Sequence, residues 1–124
     1  MGRRGRQRGG DQALAAADAS YTDAEGNTLV LRGALSPRTR AAYARIASGK
    51  ALPRGATRED AWHRSVEFLF EHLATSWTIA GTSPLVRPNE LLGRLRLASS
   101  AERTWVRECL REHCAERFPD LAAP

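Results

Sequence analysis

The stretch TSWTIAGTSPLVRP, residues 75 to 88, restricts the possible folds of this chain more than any other segment. Up to residue 74 the apolar residues recur every three or four positions, which is the spacing of an amphipathic helix. Trp77 and Ile79 then stand two apart, as in a strand, before Gly81 and two prolines break the pattern. The sequence therefore predicts a long helix that runs into a short strand.

An earlier segment carries a second strand pattern. In TLVLR, residues 28 to 32, Leu29 and Leu31 alternate with the other side chains. Gly26 and Asn27, which accept positive φ, precede it, so SYTDAEGNTLVLR predicts a β-hairpin. We expect the strand around Trp77 to join this hairpin as a third strand.

Helix-start signals mark four segments. A Ser-Pro or Pro start and two capping boxes, in which a hydroxyl residue precedes an acidic residue by three positions, are the usual signatures. The signals are Ser36 with Pro37, Thr57 with Asp60, Pro88, and Ser99 with Glu102. The longest helix carries an apolar stripe formed by Trp62, Val66, Leu69, Phe70 and Leu73. The predicted fold class is α+β, mostly helical, with an N-terminal β-hairpin and a third short strand packed against about four helices.

Length and charge define the domain organisation. The chain of 124 residues has room for one domain. Residues 1 to 12 hold four arginines against one aspartate, a charge of +3, so that the rest of the chain contributes only +2 of the total +5. We predict a flexible Arg/Gly-rich tail over residues 1–12 and a single globular domain over 13–124.

Several classes of protein are disfavoured by what the sequence lacks. No apolar run approaches the roughly 20 residues of a membrane helix. Motifs for dinucleotide binding, phosphate loops, zinc proteases and serine hydrolases do not occur. Cys109 and Cys114 point about 140° apart on one helix, which excludes a disulfide between them there and fits a reducing compartment. We expect a cytoplasmic protein that is not an enzyme and needs no cofactor.

The last helix carries two patterns of chemically active residues. Cys109 and His113 are four apart and could offer two metal ligands, but His63 and His72 lie on opposite faces of their helix, so structural roles are favoured. A basic row and an acidic row also run along this helix, which predicts a solvated, salt-bridged face rather than a DNA-reading one. The rows are Arg103, Arg107 and Arg111, and Glu108, Glu112 and Glu116.

Residues 19–97 resemble the small tail assembly chaperones of long-tailed phages. The resemblance lies in the hairpin DAEGNTLVLR, a short and then a long helix, and the segment LATSWTIAGTSPLVRPNELL. It implies a helical protein that binds tail tube and tape measure subunits and keeps them from aggregating until the tail forms. It implies no catalytic residue.

A chaperone needs an exposed apolar groove that a partner segment can fill. The candidate partner-binding residues are Trp77, Ile79, Leu85 and Val86. We also expect that the chain could form a homo-oligomer, for example through its last two helices.

The alternative function is a small nucleic-acid-associated regulatory protein. Its basic tail and the helix in SPRTRAAYAR would contact phosphates, because arginine pairs well with phosphate oxygens. The candidate nucleic-acid contacts are Arg3, Arg4, Arg6, Arg8, Arg38, Arg40 and Arg45.

Overall fold

The computed structural model of the protein describes residues 17–49, 54–121 and 123–124. The elements are β1 (Ala19–Thr22), β2 (Thr28–Leu31), α1 (Pro37–Ala47), α2 (Arg58–Leu73), β3 (Ala74–Thr78), α3 (Pro88–Arg96) and α4 (Ser100–Arg117). The three strands form an antiparallel sheet in the order β1-β2-β3. The predicted α+β, mostly helical fold is confirmed. The predicted tail, residues 1–12, lies outside the described residues.

Helix α2 passes into strand β3 without a loop. Ala74 caps the helix with extended backbone angles, φ −69° and ψ 123°, and is also the first residue of β3. The neighbouring strand satisfies the end of the helix, since the Arg32 N–H donates to the Leu73 carbonyl oxygen at 2.7 Å. The predicted third strand is confirmed, although it ends at Thr78 and leaves Ile79 outside.

A β-bulge decides which side chains of β3 reach the core. Val30 pairs with Ser76 and Leu31 pairs with Ala74, so Thr75 is an extra residue on β3. Its hydroxyl donates to the Val30 carbonyl oxygen at 3.2 Å. The bulge turns both Ala74 and Trp77 inward, which strict alternation along the strand would not allow.

The predicted hairpin is confirmed, with β1 and β2 paired antiparallel. Of the two turn residues that accept positive φ, only Gly26 uses it, with φ of 86°, because no described residue other than glycine has a positive φ. Asn27 is buried, and its side-chain NH₂ donates to the Asp23 carboxylate at 2.9 Å.

The helix-start predictions are confirmed. The Ser36 hydroxyl accepts from the Thr39 N–H, and Pro37 is the first residue of α1. Both predicted capping boxes are present, at the start of α2 and of α4. Helix α3 begins at Pro88 without a side-chain cap. The signals are reliable because each involves residues only three positions apart.

One hydrophobic core joins the sheet to all four helices of the described residues. Trp62 and Val66, which belong to the predicted stripe of α2, lie at its edge and are only half-buried. The large side chains of the core are Leu29, Leu31, Tyr43, Leu69, Phe70, Leu73, Trp77, Leu91, Leu95, Val106, Leu110 and Phe118.

A buried histidine links α4 to the hairpin. His113 is 0% exposed, and its Nε2 donates to the Arg32 carbonyl oxygen at 2.6 Å. In the neutral ring its Nδ1 accepts from the Tyr21 hydroxyl at 2.9 Å. Burial lowers the pKa of His113 below its ordinary value of 6.5, and also raises the pKa of Tyr21 to about 12.

The buried histidine predicts a loss of stability in mild acid. The unfolded chain protonates His113 near its ordinary pKa of 6.5, whereas the folded protein does so only at lower pH. Below pH 6.5 the unfolded state therefore binds more protons than the folded state. The free energy of unfolding decreases as the pH is lowered through this range. Urea unfolding between pH 7.5 and 5 measures this, and His113→Gln should flatten the slope in that window.

A carboxylate contribution would lie in a different pH window. Backbone N–H donors hold the pKa of Asp60 and Glu102 below their ordinary values of 3.8 and 4.5, and the stability they add is lost only below those values.

The Tyr21 hydroxyl should contribute to stability through His113. Tyr21→Phe, which leaves the buried Nδ1 of His113 without a donor, should cost about 1–3 kcal/mol at pH 7.5. If the free energy of unfolding had the same pH slope in the wild type and in His113→Gln, the acid destabilisation would not come from His113.

Both cysteines are buried, free thiols. Burial raises the pKa of Cys109 to about 12 and that of Cys114 to about 11. We expect neither thiol to react with an aromatic disulfide reagent at pH 8 in the native protein, and both to react in 6 M guanidinium, because only an exposed thiolate attacks. Rapid labelling of either native cysteine would show that α4 is not packed as described.

Candidate functional site

The segment that follows β3 is a fixed loop, residues 79–87, which we name the 79–87 loop. The Thr82 N–H and hydroxyl both donate to the Ile79 carbonyl oxygen, at 2.9 and 2.7 Å. Gly81, with φ of 83°, allows the turn. Leu85 returns to the sheet edge, where it exchanges two backbone hydrogen bonds with Trp77 at 3.0 and 2.9 Å.

Asn27 ties this loop to the hairpin turn. Its side-chain oxygen accepts from the Ala80 N–H at 2.8 Å, across 53 positions of sequence. The Asp23 carboxylate holds the Asn27 side chain in place, since it accepts from both the amide NH₂ and the backbone N–H of Asn27 at 2.9 Å. The loop is therefore anchored at its start and near its end, and its conformation is set before any partner arrives.

Trp77 does not form part of an exposed groove. Its side chain is 1% exposed and packs edge-on against Phe70, with 5.8 Å between ring centroids. The Arg94 guanidinium lies over its other side at 5.2 Å. The prediction that Trp77 is available to a partner is wrong, because the bulge at Thr75 turns this side chain into the core.

The other three predicted partner-binding residues remain at the surface to different degrees. Ile79 and Leu85 are half-buried against the core, and Val86 is 59% exposed. We name these three residues the loop surface. The only other large hydrophobic side chain that is exposed among the described residues is Leu97, at the end of α3, with 85% exposure.

The predicted nucleic-acid contacts do not gather on one described surface. Arg38 and Arg45 are exposed and lie on the same face of α1, while Arg40 lies roughly opposite, about 200° around the helix from Arg38. Arg40 pairs with Asp120 at 3.6 Å and lies over the Phe118 ring at 5.0 Å. The tail residues Arg3, Arg4, Arg6 and Arg8 fall outside the described residues.

Helices α2, α3 and α4 enclose a recess of about 150 Å³, which we name the arginine recess. Both apolar and charged side chains line it. The lining residues are Trp62, His63, Val66, Glu67, Leu95, Arg96, Arg103 and Arg107. The apolar periodicity placed Trp62 on the predicted stripe of α2, but it gave no sign that arginines of α3 and α4 meet there.

Each arginine of the recess has a different environment. Arg96 pairs with the Glu67 carboxylate at 2.9 Å. Arg103 donates to the Arg96 carbonyl oxygen at 2.6 Å, at the C-terminal end of α3. The Arg107 guanidinium lies 4.5 Å from the centre of the Trp62 ring, and its buried Nε has no acceptor among the described residues.

The basic and acidic rows of α4 do not pair with each other. None of the ion pairs formed by the described residues joins Arg103, Arg107 or Arg111 to an acidic residue of the same helix. The acidic row instead lies towards β1, where Glu112 and Glu116 add to the raised pKa of Tyr21. The rows are solvated as predicted, apart from the half-buried Arg107, but the predicted salt bridges between them are not formed.

The part of the chain that the structure describes holds neither a metal-binding cluster nor a membrane-spanning helix. It contains no cluster of three or more histidine, cysteine, aspartate or glutamate side chains that could hold a metal ion, and the ring nitrogens of His113 are both engaged in hydrogen bonds. None of its helices combines the length and the apolar character needed to cross a bilayer.

Comparison with protein families, curated proteins and solved structures gives no match. No protein-family model matches its sequence, and neither a curated protein nor a solved structure shows significant similarity to it.

Proposed function

We propose that this protein is a non-enzymatic, cytoplasmic protein-binding protein that acts as a small phage tail assembly chaperone through the loop surface. The observation that supports the proposal is a rigidly anchored loop that leaves Val86 exposed beside the half-buried Ile79 and Leu85. Binding residues are commonly carried on loops that a rigid scaffold positions.

The anchoring of the loop favours binding on energetic grounds. A loop that must be ordered on binding loses part of the interaction energy to that ordering. Here the Trp77–Leu85 backbone bonds and the Asn27–Ala80 bond have already fixed the conformation when the protein folds. Contacts to Val86 would therefore contribute to affinity without this loss.

The size of the loop surface suits a reversible interaction. Full burial of a valine side chain contributes about 1.5–3 kcal/mol, and Ile79 and Leu85 have less surface left to bury. A contact of this size holds a partner weakly enough for later release. Release is what a chaperone requires when its tail tube or tape measure subunit enters the growing tail.

A charge at Val86 should weaken binding. Val86→Asp places a carboxylate at the centre of the loop surface, where a partner would have to desolvate it. Isothermal titration of the purified protein with tail tube and tape measure subunits encoded near its gene should show an affinity reduced by at least tenfold. Ala44→Asp is the control, because it adds the same charge at an exposed position of α1, outside both the 79–87 loop and the arginine recess.

Both variants should unfold at nearly the wild-type temperature, since both side chains are exposed. Equal losses of affinity in the two variants would show that the loop surface is not the binding site for the partner. If neither tail subunit bound the wild-type protein, the proposed function would be wrong.

Loosening the loop should weaken binding without altering its surface. Asn27→Ala leaves the Ala80 N–H and the Asp23 carboxylate without their side-chain partner, which should cost about 1–3 kcal/mol of stability. We expect faster amide hydrogen exchange at residues 79–87 and a lower affinity for the same subunit. An Asn27→Ala protein with slow exchange in the loop would contradict the anchoring role.

A further inference from the structure

We propose that the arginine recess binds a carboxylate group, supplied by an acidic side chain that lies next to an apolar residue in a partner protein. This site is separate from the loop surface and does not depend on the proposed chaperone function. The 79–87 loop leads into the N-terminal end of α3, whereas Leu95 and Arg96 lie at its C-terminal end, roughly 12 Å further along the helix axis.

The recess carries positive charge that the described residues do not neutralise. Three arginines, His63 and one glutamate line it; Glu67 is already paired with Arg96, and His63 lies 3.6 Å from Glu59. Arg103 and Arg107 have no carboxylate partner among the described residues. Arginine in a partly enclosed site is usually paired, because its fork of N–H groups matches the two oxygens of a carboxylate.

Arg107 is the most unusual of these side chains. It is half-buried, its guanidinium is stacked against Trp62 at 4.5 Å, and its Nε is buried without an acceptor. Stacking fixes the orientation of the group, so an arriving anion would meet a positioned donor rather than a mobile one. A neighbouring negative charge would offset the cost of keeping this cation partly out of water.

The walls of the recess favour a carboxylate side chain over a phosphate. Trp62 and Leu95 provide apolar surface that the methylene groups of a glutamate could contact. An inorganic phosphate has no methylene groups and would gain nothing from these apolar walls. Leu97, which follows Arg96 directly and is 85% exposed, offers an apolar contact for the residue beside the acidic one.

The test uses the full-length protein and three probes at low ionic strength. They are a blocked hexapeptide of alternating leucine and glutamate, the same peptide with glutamine in place of each glutamate, and inorganic phosphate. Two-dimensional NMR follows the Trp62 indole N–H and the Arg107 Nε–H. We expect saturable shifts of both signals with the glutamate peptide, a dissociation constant below about 1 mM, and at least tenfold weaker binding of the other two probes.

Variants of one row on α4 provide the matched comparison. Arg103→Gln and Arg107→Gln should each lower the affinity for the glutamate peptide by about tenfold, as expected for the loss of a charge-assisted hydrogen bond. Arg111→Gln removes the same charge from the next position of the row, outside the recess, and should change the affinity by less than about twofold. Arg103 is exposed, so its variant is expected to fold even if Arg107→Gln loses stability.

Each alternative result overturns the proposal in a distinct way. Equal affinity for the glutamate and glutamine peptides would show that charge is not recognised. Equal losses in Arg103→Gln and Arg111→Gln would show general electrostatic attraction in place of a site. Tighter binding of phosphate, with the same two signals shifted, would make the recess a phosphate site. The Val86→Asp variant should bind the glutamate peptide as the wild type does, whatever becomes of the loop surface.

Discussion

The direct passage from α2 into β3 is the constraint on which the rest of the structure depends. The Arg32 N–H caps the last turn of the helix by donating to the Leu73 carbonyl oxygen at 2.7 Å, so the longest helix and the central strand are joined by both chain and hydrogen bond. The bulge at Thr75 follows at once and turns Trp77 into the core. Helix α3 and the 79–87 loop then have fixed positions around Trp77.

Two polar links hold the outer parts of the fold to this centre. His113 connects α4 to Tyr21 and to the carbonyl group of Arg32, and Asn27 connects the hairpin turn to the start of the 79–87 loop. Both side chains are buried, so their hydrogen bonds have little competition from water. The first link orients the helix whose basic side lines the arginine recess, and the second keeps the loop surface in one conformation.

The local features of the fold could be predicted, while the exposure of the candidate site residues was predicted only in part. The caps at Ser36, Thr57 and Ser99 are correct because each one depends on a residue three positions away. Ile79, Leu85 and Val86 were indicated by the break in the helical pattern, but Trp77 was wrongly placed with them. No alternation pattern shows a bulge, which shifts the inward direction by one residue.

The sequence by itself determined where helices and strands begin, that they share one small core, and that the chain carries excess positive charge. Only the tertiary structure decided that Trp77 is covered while Val86 is not, and that Arg103 and Arg107 line a recess whose one carboxylate, Glu67, already pairs with Arg96. The physical reason is the sequence separation between the residues that interact. Helix caps and strand alternation arise within a few residues, whereas burial and pairing depend on contacts such as Tyr21–His113, which are 92 positions apart.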